Sequence, residues 1–132
     1  MLLDAQLLFS DAQEITSGTI NSTNIVKFGA GDVSYLPIVI QSVADFTGLT
    51  SLCVKIQTSL KADFSEPVDL VQATLSKEEL KAGVKFPISY LPKGNLGYMQ
   101  LVYIVDGSAE STGKITAGIV CADSIGFHEI NL

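Results

Sequence analysis

The stretch LCVKIQ, residues 52–57, alternates Leu52, Val54 and Ile56 with Cys53, Lys55 and Gln57. A side-chain period of two places the three aliphatic residues on one face of a strand and the remaining three on the other. The alternation returns near the end of the chain, where Ile115, Ala117, Ile119 and Cys121 oppose Lys114, Thr116, Gly118 and Val120. Between these two, YMQLVYIV (residues 98–105) is apolar on nearly both faces. That pattern predicts a central strand of a sandwich, or a strand whose outer face meets another subunit.

Working outward, further strands are expected over residues 24–28, 35–42, 68–74 and 85–90. Pro37 and Pro87 cannot donate to a ladder, so their strands must lie at an edge or start late. Turn chemistry fills the gaps: GAGD at 29–32, residues 45–48, SEP at 65–67, PKGN at 92–95 and DGS at 106–108. Strands and turns spaced at about ten residues predict an antiparallel β-sandwich, all-β, in a single domain over residues 1–132. One short helix is expected over residues 77–82. Ser76 and Glu79 fit a capping box, Leu75 and Leu80 a hydrophobic staple, and Gly83 a C-terminal stop. Residues 1–20 read in either of two ways, as an N-terminal arm or as the first strand of the sandwich. In the first reading Leu7, Leu8 and Phe9 make subunit contacts, because an apolar arm is best ordered against a neighbour.

The composition is unusually apolar. Charged residues make up 17% of the chain and apolar residues 47%, with a mean hydropathy of +0.38, whereas an ordinary domain carries about 25% charged residues. A domain of this mass keeps roughly 6,700 Å² of surface in water. So much apolar material predicts that part of that surface is covered by other subunits or a larger assembly. The eight basic residues are all Lys, and the net charge is −6. Without Arg or a Lys cluster, an acidic chain has no partner in nucleic acid or in an anionic membrane. The start MLLDAQLLF has no basic segment ahead of its apolar run, and no apolar run approaches the ~20 residues that span a bilayer. Synthesis in the cytoplasm is therefore expected, with Cys53 and Cys121 as free thiols rather than a disulfide.

Catalytic, cofactor and metal sites are not expected. His128 is the only histidine and stands beside Glu129 with no nucleophile or orienting group nearby. One histidine and two separated cysteines do not make a zinc site. Asp63, Glu66 and Asp69 lack the spacing of a calcium loop. GAGD lacks the third glycine and the following helix of a phosphate-binding turn.

Four strings of the chain carry a resemblance. DAQLLFSDAQ (4–13), STNIVKFG (22–29), LGYMQLVYIVDG (96–107) and GKITAGIV (113–120) resemble the capsid-stabilising proteins of tailed bacteriophages of the Bordetella-phage type. The resemblance implies a jelly-roll-like sandwich that forms homotrimers on the outer face of a phage head and bridges subunits of the major capsid protein. A virion location follows from it, with a head-fibre protein as a further partner. The alternative from another class is a carbohydrate-binding module, or the base of a head fibre. Its sugar platform would have to come from Tyr35, Tyr90, Tyr98 and Tyr103, since the chain has no Trp.

Overall fold

A computed structural model describes residues 3–29, 31, 36–107 and 111–120, with the backbone alone for residues 3–6. Eight strands form: β1 (Leu3–Glu14), β2 (Thr19–Asn21), β3 (Val26–Lys27), β4 (Ile38–Ser42), β5 (Ser51–Ser59), β6 (Val68–Ser76), β7 (Tyr98–Asp106) and β8 (Lys114–Val120). They make two antiparallel sheets, one in the order β1-β8-β4 and one in the order β2-β7-β5-β6, with β3 also paired to β7.

The period-two reading of the sequence describes the core. Leu52, Val54 and Ile56 from β5 and Ile115, Ala117 and Ile119 from β8 face each other across one buried cluster. In β7, Met99, Leu101 and Tyr103 join that cluster, while Gln100 and Val102 are buried on the outer face beneath cross-strand neighbours. As its two-faced apolar pattern predicts, β7 is central, flanked by β2 and β3 on one side and β5 on the other.

The proline reading also holds. β4 starts late, at Ile38, directly after Pro37. Residues 83–91 run antiparallel beside β4 through Ser42 N to Val84 O (2.8 Å), Phe86 N to Ile40 O (2.8 Å) and Ile38 N to Ser89 O (3.0 Å). They never become a continuous strand, because Pro87 lacks a donor; only the bridges Gln41–Lys85 and Pro37–Tyr90 form. With this interrupted strand the first sheet reads β1-β8-β4-(83–91). Taking β2 and β3 as one strand broken against β7, the second sheet also has four. That interleaving of eight strands in two sheets is a jelly roll.

The element at 77–82 is shorter than expected: a single 3-10 turn over Lys77–Glu79. The capping contact forms, with Ser76 N donating to Glu79 Oε1 at 3.0 Å. Propagation fails because the next donors go elsewhere. Ala82 N bonds Asp45 Oδ1 (2.7 Å) and Gly83 N bonds Ser42 O (2.7 Å), while Leu80 is drawn fully into the core.

Candidate interaction surface

The N-terminal segment lies in the fold as its first strand. From Leu3 to Glu14 it pairs with β8, through three register shifts that mark an irregular edge. Phe9 is completely buried in the chain's own core, Leu7 packs partly against that core, and Leu8 is half-buried over Gly118. Phe9 is therefore spent inside the domain, and of the three residues only Leu7 and Leu8 keep surface to offer a neighbour.

A polar clamp holds β1 in place. The Tyr103 hydroxyl lies 2.7 Å from Ser10 Oγ, and Ser10 donates to Gln13 Oε1 at 2.6 Å. Gln13 then grips the chain between β2 and β3, accepting from Thr23 N (2.9 Å) and donating to Asn21 O (2.9 Å). Burial pushes the Tyr103 phenol well above its ordinary range, so it stays a neutral donor. Nothing in the sequence marks this clamp, because Ser10 and Tyr103 are 93 residues apart.

Two carboxylates of the acidic loop are held by neighbours in the chain. Asp63 accepts from Ser65 N, which holds its carboxyl below the usual range. Asp69 is lowered by hydrogen bonds from Gln57 (2.7 Å) and then Lys55 (3.2 Å). Asp63 and Asp69 are thus committed to their own chain, and among the described residues no three His, Cys, Asp or Glu side chains converge on a metal position. Gly29 and Gly31 have positive φ, as a turn requires, while Asp32, Cys121 and His128 lie outside the described residues. A small hollow of about 180 Å³ is lined by Glu14, Thr16, Ser111, Thr112, Gly113 and Lys114, below the roughly 300–1,000 Å³ typical of ligand sites. Of the tyrosines proposed as a sugar platform, Tyr103 is buried and Tyr98 half-buried beneath the Lys27 ammonium, 6.0 Å from its ring centre. Tyr35 lies outside the described residues, which leaves Tyr90 as the exposed ring among those described.

The exposed apolar side chains are not scattered. The register pairs Ser59 and Lys27 with Tyr98, Thr58 with Val68, and Pro37 with Tyr90. Residues 28–29, 31, 36–37, 60–67 and 91–97 therefore share one end of the sandwich. Of the seven large apolar residues that are exposed among those described, five belong to this end: Leu36, Leu60, Val68, Tyr90 and Leu96. Leu60 is 72% exposed and Tyr90 58%. The loop that presents Leu60 also holds Phe64 and Glu66 at positive φ, a strained conformation that surrounding structure must enforce. Ser59 Oγ enforces it by donating to Ser65 O (2.7 Å) and accepting from Lys61 N (3.2 Å). At the opposite end loop-to-loop bonds such as Phe46 N to Leu80 O (3.0 Å) and Ser111 N to Thr16 O (2.6 Å) join the chain, and among the described residues Val43 is the exposed large aliphatic residue there.

The model of the family Bbp16 matches residues 9–123, from the buried Phe9 through the whole of β8. The chain belongs to the Bbp16 family. This is a Bordetella-phage-type family, in agreement with the resemblance seen in the four strings. The Bbp16 match spans both sheets and every loop of the apolar end, so that end lies within the family's common unit. No curated protein matches the chain. Among the described residues no helix is long and apolar enough to cross a membrane.

Proposed function

We propose that this chain is a structural virion protein, a capsid decoration or cement protein on the outer face of a phage head. Its partner in this reading is the major capsid protein, whose neighbouring subunits it bridges, and the copies associate as trimers on which a head-fibre protein can sit. The observation that carries the reading is the apolar end: a protein of a phage-type family gathers five exposed large apolar residues on one end of a jelly roll. Exposed apolar surface concentrated in this way marks a binding face. An acidic, Arg-free chain also suits a place outside the shell better than one against packaged DNA.

Mechanically, a modest contact of about 800 Å² per partner, repeated by the symmetry of the head, gives an avidity that one interface lacks. If the contact exists only on the mature shell, binding stabilises that state by linkage. The test is co-sedimentation of purified protein with shells assembled from the parent phage's major capsid protein, paired with electron microscopy of particles with and without this chain. Saturable binding in symmetric positions is expected. A protein that stays in the supernatant at every concentration, and particles unchanged by its deletion, would sink the reading.

A further inference from the structure

An aliphatic side chain held out in water gives up free energy that it would recover by folding down onto its own core. Leu60 is nonetheless 72% exposed, and Leu96 also stands in solvent at the apolar end. The loops that carry them must be held from behind. Leu60 and Leu96 cannot anchor these loops, since they are left outside the core, and the hold is polar.

Three side chains supply it. Thr58 and Ser59, the last two residues of β5, are completely buried. Thr58 Oγ1 accepts from Leu96 N (2.9 Å) and donates to Tyr98 O (2.8 Å). Ser59 Oγ joins Lys61 N to Ser65 O, which closes the base of the loop that carries Leu60, and Phe64 N bonds Lys61 O (3.0 Å) within it. Asn95 works between loops. Its Nδ2 donates to Gly29 O (2.9 Å) and Gly31 O (2.8 Å), and its Oδ1 accepts from Gly97 N (2.9 Å). Gly97 O in turn accepts from Phe28 N (2.8 Å) and Gly29 N (3.0 Å). The polar atoms of all three side chains are thus used on backbone groups of this one end. Networks satisfied in this way hold a single geometry.

We infer that Thr58, Ser59 and Asn95 are positioning residues of the docking face, which set Leu60 and Leu96 in their binding arrangement before any partner arrives. The inference rests on the reading that this end docks on the head shell. It adds the mode of docking: the end arrives rigid, and the shell protein must present a surface fitted to one fixed relief. Loops ordered during folding need no further ordering on association. In a modest contact, mobile loops would take away much of what apolar burial supplies.

Amide exchange of the free protein is the first measurement. The amides of Lys61, Phe64, Leu96 and Gly97 should be protected. Ser59→Ala should speed exchange at Phe64 as well as at Lys61. Thr58→Val should release Leu96, whereas Thr58→Ser keeps the hydroxyl and should not. Asn95→Asp keeps the acceptor for Gly97 N and loses the donor to Gly29 and Gly31, so exchange should rise at Phe28 and Gly29. In co-sedimentation with shells, Ser59→Ala, Thr58→Val and Asn95→Asp should each weaken binding by about five-fold or more, with cooperative unfolding retained. A double-mutant cycle then separates positioning from general support. In a Leu60→Ser chain, Ser59→Ala should weaken shell binding by less than about two-fold, because nothing is left to position. The same loss in both chains overturns the proposal. So does free exchange of these loops in the unmodified protein, or shell binding unchanged in Asn95→Asp and Thr58→Val although their loops exchange faster. In that last case a loss with Leu60→Ser leaves the docking reading standing. Equal shell binding by Leu60→Ser removes docking from this end and the positioning role with it. Asn95→Asp, at a half-buried site, carries the test should Ser59→Ala or Thr58→Val fail to fold.

Discussion

Tyr103 has its ring in the core and its hydroxyl 2.7 Å from Ser10, joining β7 to β1. Tyr103→Phe keeps the ring and removes the bond, while Ser10 retains Gln13 as a partner. A loss of about 0.5–1.5 kcal/mol is expected in urea unfolding. Gly113 is a second such point. A Cβ there would run into the ring of the buried Phe46. Gly113→Ala is expected to cost about 1–3 kcal/mol by overpacking, and Phe46→Leu in the same chain should recover part of it, both read as shifts in the denaturation midpoint. Neither residue was legible beforehand. Gly113 reads in the sequence as the start of a strand, and only the arrival of Phe46 from another loop gives its missing side chain a purpose.

At the scale of elements, β5, β7 and β8 are legible because their side-chain period matches the face they bury. β1 is harder, since its bulges break the period and leave its residues readable as an arm. The deletion series that checks its role removes residues 1–6, then residues 1–14. The shorter deletion should leave a folded domain. The longer one removes Phe9 and the partner of β8, and should abolish cooperative unfolding. β2 was missed altogether: it spans three residues, and β2 and β3 are separated where Ser22 Oγ accepts from Leu101 N (3.0 Å) and donates to Asn24 O (2.9 Å). The 3-10 turn and β6 also carry a pH dependence. Glu79, lowered by Ser76, and Asp69, lowered by Gln57 and then Lys55, both have folded values below their ordinary ones of 4.5 and 3.8. Their contribution is therefore complete above about pH 5 and is lost as pH falls through the depressed values. Both carboxylates are at the surface, so the effect should be small; carboxyl NMR titrations should show midpoints below those of a denatured reference.

At the scale of the whole molecule, the apolar end separates stability from assembly. Leu60 is 72% exposed and adds little to its own core, so Leu60→Ser should change unfolding by no more than about 0.5 kcal/mol. If this end docks on the shell, the same change should lower shell binding at least ten-fold in co-sedimentation. Equal binding by both proteins would move the docking face elsewhere. The surplus of apolar residues is visible in the composition, but its placement is not. Leu36, Leu60 and Leu96 are separated by some sixty residues of chain and share one end because three crossing loops return there.

By itself the sequence determined that this chain is an antiparallel sandwich, that β7 is either central or turned toward another subunit, and that the strands at Pro37 and Pro87 lie at an edge or start late. These are local properties: a period of two, a missing amide donor and turn residues act over a few positions and need no knowledge of the rest. Only the tertiary structure decided that Phe9 belongs to the core, that the turn after Ser76 stops at Glu79, and that Leu36, Leu60, Val68, Tyr90 and Leu96 meet at one end. Each depends on which distant groups arrive to claim a donor or fill a space, and that is set by how the two sheets close over each other.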